Sequence, residues 1–222
     1  MKSQKAIART FGLFFLLAFL SYGLGTGLTT QIAEADSLRA VTDHKTQFVL
    51  GVILMALVHT IVNIGLPVLM VPVLKPFNRT LTYGYLSAGI AATVVVIVGA
   101  IFLLLYLPLG SMYTSADPSA SQQYDTIGAL LVKGNFYAYQ IGMAIWGFGG
   151  LMFCYLLYLS RLVPRFLPIW GFLGYLVFIA GTVSELFGSN LGVQLALPGG
   201  LFEITLSIWL IVKGFNTTRL SR

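Results

Sequence analysis

The stretch Ala91–Leu107, AATVVVIVGAIFLLLYL, decides the fold of this chain. Its residues are continuously apolar and do not alternate with polar ones, so the pattern indicates a helix and not a strand of a membrane β-barrel. A helix that crosses a bilayer needs about 20 apolar residues. With its uncharged neighbours the stretch extends over Leu81–Leu109, which is long enough to span a membrane.

Five further stretches of the same kind lie before and after it. The chain is 57% hydrophobic and only 9% charged, whereas a soluble domain carries roughly 25% charged residues. Lipid must therefore cover most of its surface. We predict a single all-α domain over residues 1–222, a polytopic membrane bundle of six transmembrane helices at Ala8–Leu28, Phe48–Leu74, Leu81–Leu109, Phe136–Leu159, Leu167–Phe187 and Leu197–Val212.

The positive charges lie on one side of this predicted bundle. Ten of the 13 Lys and Arg residues fall before span one, between spans two and three, between spans four and five, or after span six. Positively charged loops remain in the cytoplasm, so we predict that both termini are cytoplasmic. These topology signals, together with contacts to lipid headgroups, account for the net charge of +6. We therefore expect membrane lipids as partners and no nucleic acid.

Two segments on the predicted outer side are longer than the other connections. Thr29–Gln47 has Ile32, Leu38 and Val41 spaced for one helical face. Gly110–Asn135 changes from the loop composition SMYTSADPSASQQ to the more apolar YDTIGALLVK. Both segments can form short helices along the membrane interface. They then either act as a lid or simply connect the spans.

Cysteine and histidine are too few for several kinds of site. Cys154 is the single cysteine, and of the two histidines, His44 and His59, only His59 lies in a span. Neither a haem between two intramembrane histidines nor a zinc site of His and Cys can form within one chain. The chain also lacks a Walker A loop and a GxSxG motif. We expect no cofactor and no metal.

The ionisable residues inside the spans are the candidate functional residues, because such residues are costly in a bilayer and usually face the bundle interior or a cavity. His59 and Asn63 are four apart, as are Glu203 and Ser207, so each pair shares a helix face. Other polar residues lie near the outer ends of the spans. We predict an outward-facing polar pocket that binds a ligand through His59, Asn63, Gln140, Glu185 and Glu203.

Two interpretations of these residues remain open. A paired His59 and Glu203 can hold a proton, a cation or an amine-bearing ligand. Alternatively, the same side chains only join helices through hydrogen bonds, which contribute about 0.6 kcal/mol each on average. Glu185 lies close enough to a helix end to reach water. Separately, the glycines of spans four and five predict that these two helices pack closely.

Several motifs resemble one protein family. They are FYAYQIGMAIWGFGGLMFCYLLYLSRLVPRFLPIWGFLGYLVFIAG in the centre, ARTFGLFFLLAFLSYGLG near the start, LKPFNRTLTYGY after span two and FEITLSIWLIVKGF at the end. Together they resemble the uncharacterised bacterial membrane family of the domain of unknown function 4386. The more specific matches are Arg9, Arg79, Ser160, Pro164, Glu203, Trp209, Lys213 and Gly214. The resemblance implies a multi-pass protein of the bacterial cytoplasmic membrane and no assigned activity.

Three function classes remain. The first is a protein that binds or moves a small or amphipathic molecule through the outward-facing pocket. The second is an intramembrane enzyme that acts on a lipid, with His59 and either Glu203 or Glu185 as acid and base. The third is a structural or accessory subunit of a membrane complex, with a membrane protein as its partner. We favour binding over catalysis, because the sequence shows no nucleophile, metal cluster or phosphate clamp near the pocket.

Overall fold

The computed structural model describes residues 2–33 and 38–216, and within them it consists of helices and short connections. The α-helices are α1 (Lys2–Ala33), α2 (Arg39–Asp43), α3 (Lys45–Ile53), α4 (His59–Leu74), α5 (Arg79–Leu104), α6 (Tyr106–Ser115), α7 (Ser121–Ser160), α8 (Phe166–Leu186) and α9 (Gly192–Val212). A π-helical segment, Leu54–Val58, joins α3 to α4.

Six helical stretches of the described residues are long and apolar enough to cross a membrane: Gln4–Ala33, Lys45–Leu74, Arg79–Ser115, Ser121–Ser160, Phe166–Leu186 and Gly192–Val212. The all-α, six-span fold class is therefore confirmed. The placement of both termini in the cytoplasm stays a prediction, and Arg219 and Arg222, two of the residues behind it, lie outside the described residues. The assignment of residues 1–222 to a single domain stays a prediction as well.

The fourth span begins 15 residues earlier than the sequence indicates. Ser119 donates its backbone N–H (2.9 Å) and its hydroxyl (2.8 Å) to Asp117 Oδ1, and these bonds lower the pKa of Asp117. This Asx turn leads through a short 3₁₀ turn into Ser121, where α7 begins. No proline follows until Pro164, so nothing interrupts the helix. YDTIGALLVK therefore belongs to α7 and does not form a separate interfacial helix.

The sixth span begins at Gly192, five residues before the predicted start, and contains Pro198 in its interior. Membrane helices tolerate such a proline where neighbouring helices pack against it. A Cβ atom built on Gly174 of α8 would lie 3.1 Å from the carbonyl carbon of Pro198, so the two backbones are close at this point. The earlier start places Glu203 11 residues after Gly192 and nine before Val212, near the middle of α9.

The chain divides into two compact units. Unit 1 comprises Met1–Ala18, Val62–Thr93 and Gln140–Arg222, and unit 2 comprises Phe19–Ile61 and Val94–Tyr139. Unit 1 carries ten Lys and Arg and two acidic residues, a net charge of +8, whereas unit 2 carries three Lys and Arg and five acidic residues, a net charge of −2. The two values sum to the +6 of the whole chain.

The core of unit 2 explains the apolar face of the first long segment. Ile32, Leu38 and Val41 are buried there with Phe48 and Tyr106, among others. Gly110 of α6 lies directly against Val41, and no side chain larger than hydrogen fits between them. α2 therefore packs on α6 as part of this core. Residues 34–37 of the same segment lie outside the described residues.

Glycines bring α7, α8 and α9 together within unit 1. A Cβ atom on Gly147 of α7 would lie 2.7 Å from Ile179 Cγ1 of α8, and one on Gly174 would lie 3.0 Å from the Cα atom of Gly199 in α9. The predicted close packing of spans four and five is confirmed, and it extends to span six. These contacts position the side chains described next.

Candidate functional site

Glu203 lies at the centre of a buried polar cluster in unit 1. The residue is 8% exposed and accepts two hydrogen bonds from other helices. Tyr175 Oη of α8 donates to Glu203 Oε1 at 2.5 Å, and Trp146 Nε1 of α7 donates to the same oxygen at 3.3 Å. Both donors are neutral side chains, so three helices meet at one carboxyl group that has no cationic partner in this cluster.

Tyr85 of α5 adds a hydroxyl group without a partner. The side chain is 2% exposed, and its Oη forms no hydrogen bond with any described residue. It lies within electrostatic range of both Glu203 and Cys154. A buried, unpaired polar group costs free energy, so each one in a native structure requires an explanation.

Two neighbouring glycines of α7 lie beside the two tyrosines. A Cβ atom on Gly150 would lie 2.5 Å from the ring of Tyr175, and one on Gly149 would lie 3.6 Å from Cδ2 of Tyr85. The ring of Tyr175 therefore rests on Gly150, where a larger residue would interfere. The ring of Tyr85 is only in ordinary van der Waals range of Gly149, whose close neighbour is Ala88 at 2.9 Å. Because the glycines are adjacent, the two rings approach different faces of α7.

Aromatic rings surround the cluster. Phe153 stacks on Tyr85 with ring centroids 5.0 Å apart, Phe202 lies 6.0 Å from Tyr175, and Phe15 lies 6.3 Å from Trp146. Phe153 and Phe202 are buried, at 1% and 0% exposed. Hydrogen bonds and charges act strongly in such an apolar environment.

Glu185, near the end of α8, caps the first turn of α9. Its Oε1 accepts the backbone N–H of Gly192, the first residue of α9, at 2.6 Å. A carboxylate in this place satisfies a free N–H of the helix and interacts favourably with the helix dipole. Glu185 is ten residues from Tyr175, about 15 Å along α8. The structure therefore places Glu185 at a different level of the bundle from Glu203.

We expect Glu185→Ala to lower the free energy of unfolding by about 0.5–2 kcal/mol, because α9 loses this cap. Unfolding by a denaturing detergent in mixed micelles, followed through labelling of the buried Cys154, measures the change. Glu185→Gln is the matched control, since its amide oxygen still accepts the N–H of Gly192, and it should lose less. Equal stability of Glu185→Ala and wild type would contradict the capping role.

The other three residues of the predicted pocket are also buried, two of them in unit 1 and one in unit 2. Asn63 and Gln140 are 3% and 8% exposed and belong to unit 1. His59 is 7% exposed and belongs to unit 2, where its ring centroid lies 5.1 Å from that of Tyr22. Tyr22 in turn stacks on Tyr139 at 5.0 Å. The convergence of His59, Asn63 and Glu203 on one cavity stays a prediction.

Sequence reasoning missed Tyr175 and Tyr85. The adjacent Gly149 and Gly150 indicated that other helices approach α7 closely, but they did not say which residues approach. Sequence reasoning also missed the π-helical segment directly before His59. Such segments are rare and frequent at functional sites. Among the described residues, no group of three His, Cys, Asp or Glu side chains is arranged to hold a metal.

Comparison with known proteins gives one result. The family model of the domain of unknown function DUF4386 matches residues 10–214, which include Glu203, Tyr175, Trp146 and Tyr85. No curated protein and no solved structure matches the chain significantly.

Proposed function

Because the chain belongs to the family of the domain of unknown function DUF4386, whose name assigns no activity, we propose its function from its own residues. It is an integral membrane protein that binds or moves a small or amphipathic molecule through an outward-facing polar site with Glu203 at its centre. Asn63 and Gln140, which belong to the same unit as Glu203, complete this site, and Glu185 lies toward its outer end. The protein resides in the bacterial cytoplasmic membrane with both termini in the cytoplasm, in line with its positive charges.

The observation that carries this proposal is that only one of the two oxygens of the Glu203 carboxyl group accepts hydrogen bonds. Tyr175 and Trp146 both donate to Oε1. Among the described residues both donors to this carboxyl group bind Oε1 and none binds Oε2. The buried hydroxyl of Tyr85 in the same cluster has no hydrogen-bond partner either. An ionisable residue inside a membrane bundle is costly and commonly marks a ligand or ion pathway. One unused acceptor and one unused donor in the same cluster support a binding role.

The chemistry of the two unused groups indicates the kind of ligand. Oε2 accepts a hydrogen bond, and the hydroxyl of Tyr85 donates one. A hydroxyl or a primary amine bears the donor that Oε2 needs, and a hydroxyl also accepts from Tyr85. The aromatic rings around the cluster would contact an apolar portion of the same molecule. An amphipathic alcohol or amine therefore fits the site better than an anion does.

Interhelical hydrogen bonding alone explains the site less well. Bonds of that kind contribute about 0.6 kcal/mol each on average, and serine, threonine or an amide can provide them without placing an ionisable group in the membrane. A purely structural cluster would also be expected to use the Tyr85 hydroxyl. The unpaired groups therefore favour binding.

The test is native mass spectrometry of the detergent-purified protein, wild type beside Glu203→Gln. The amide retains an acceptor for Tyr175 and Trp146 but changes the group that would face the ligand. We expect a co-purified small molecule or lipid in the wild type that Glu203→Gln loses at least tenfold. Its mass then gives the ligand class.

Ser207→Ala is the matched control, because Ser207 is buried one turn away on α9 and its hydroxyl donates only to the backbone carbonyl of Glu203 at 2.7 Å. The control should retain the bound species. If the wild type and Glu203→Gln give identical spectra and the variant is merely less stable, the cluster is structural. The protein would then be better explained as a subunit of a membrane complex.

A further inference from the structure

A second feature of unit 1 lies at the opposite end of α9 from Glu185. An open cavity of about 400 Å³ lies between the connection of α7 to α8 and the residues that follow α9. Its lining residues include Arg161, Arg165, Trp209 and Lys213. A volume of this size lies in the range of small-molecule sites.

Two turns of unusual backbone geometry build the cavity. Arg161 follows the last residue of α7 with φ +54°, and Gly214 follows α9 with φ +74°. The backbone N–H of Asn216 then donates to the carbonyl of Leu162 at 2.8 Å, which joins the two turns. Glycine is the usual residue for a left-handed helix end. A left-handed backbone is unfavourable for arginine, so we attribute the presence of arginine at position 161 to a role of its side chain.

Among the described residues of unit 1, the cations around the cavity have no acidic partner. Arg161, Arg165 and Lys213 line it, and Lys5 approaches Gly214 beside it. The sequence of unit 1 contains two acidic residues, Glu185 and Glu203. Glu185 caps α9 and Glu203 accepts from Tyr175, so neither balances these cations.

Exposed apolar residues beside the cavity favour a lipid over a free anion as its ligand. Val212 and Phe166, which adjoin the lining residues Lys213 and Arg165 in sequence, are 66% and 58% exposed. Trp209 in the cavity wall is half-buried, as is common for tryptophan at the membrane interface. A headgroup in the cavity would therefore be continuous with acyl chains along exposed apolar side chains.

We propose that this cavity is a binding site for a phosphate group carried by an anionic phospholipid, which Arg161, Arg165 and Lys213 hold while Trp209 contacts the glycerol region. Arginine is well suited to this task because its guanidinium group binds phosphate through two parallel hydrogen bonds. Basic cavities between transmembrane helices are known to bind anionic headgroups. The positive-inside rule alone requires charge on this side, but it requires no cavity.

The experiment compares lipid retention in native mass spectra after addition of phosphatidylglycerol, phosphatidylcholine or inorganic phosphate. We expect the wild type to retain phosphatidylglycerol in preference to phosphatidylcholine, and inorganic phosphate alone to leave no adduct. Each of Arg161→Gly and Arg165→Gln should weaken this retention about fivefold, the effect of one cation near an anionic lipid. Glycine also relieves the backbone at position 161, so Arg161→Gly should not lower the Tm.

Lys75→Gln and Arg79→Gln are the matched controls, because these cations flank another connection and do not line the cavity. They should change retention less than twofold. If all four variants weaken retention equally, total charge and not the cavity holds the lipid, and the proposal is overturned. An adduct of inorganic phosphate as strong as that of the lipid would overturn the lipid as the ligand. Neither result bears on the site at Glu203.

Discussion

Gly150→Ala is expected to destabilise the protein by about 1–3 kcal/mol, the usual cost of adding a methyl group to a packed interior. The new Cβ atom would lie 2.5 Å from the ring of Tyr175. That ring is 2% exposed and its hydroxyl is held by Glu203, so it can move aside only by giving up this hydrogen bond. One methyl group should therefore both strain the packing of α7 on α8 and separate Tyr175 from Glu203.

The single cysteine provides the measurement. Cys154 is 1% exposed, so a thiol-reactive fluorophore should label it only when this part of the bundle opens. Labelling during unfolding by denaturing detergent gives the change in stability. Gly23→Ala is the matched control, since a Cβ atom on Gly23 meets no atom within 4 Å. Alanine favours a helix over glycine by up to about 1 kcal/mol, so the control should be neutral or slightly stabilised. Equal behaviour of the two variants would show that Tyr175 is not held against Gly150.

The spans were predictable from the sequence because a helix that crosses a bilayer must consist of apolar residues, and composition shows such stretches directly. A run such as Ala91–Leu107 has few ways to be stable other than as a helix in lipid. The ends of the helices were not predictable to the same degree. Ser121–Asn135 carries polar residues that are acceptable in a loop and equally acceptable in a helix that continues past the apolar region. The turn at Asp117 decides between them, through hydrogen bonds that composition does not reveal.

The centre of the candidate site was predictable, but its partners were not. Glu203 is recognisable as a candidate functional residue from the sequence alone, because an acidic residue in an apolar span is costly and is usually functional. Sequence spacing relates only residues on one helix face, so it connected Glu203 to Ser207. His59 was considered as its partner because it is the histidine that lies in a span. The neighbours in unit 1, Tyr175 and Trp146, come from two other helices. They depend on how glycines set the distances between helices, and this is a property of the packed structure.

Tyr175→Phe and Glu203→Leu together form the second prediction of large effect. Each single change is expected to cost about 1–3 kcal/mol, because it leaves a buried polar group without its partner. In Tyr175→Phe the carboxyl of Glu203 loses its shorter hydrogen bond and keeps only the one from Trp146. In Glu203→Leu the hydroxyl of Tyr175 and Trp146 Nε1 both lose their acceptor. The double variant replaces both groups by apolar ones of similar shape, which removes most of this cost, although Trp146 Nε1 still loses its acceptor. We therefore expect it to be more stable than either single variant.

The double-mutant cycle separates the two interpretations of the cluster. A coupling energy of about 1–3 kcal/mol with recovery close to wild type would mean that the fold does not require the carboxyl group. Glu203 would then need a reason other than stability, and loss of the co-purified species in the double variant would provide it. If the two costs simply add, the hydrogen bond between Tyr175 and Glu203 does not organise the cluster. In that case Trp146 and the surrounding packing hold the three helices, and the argument for a ligand loses its main support.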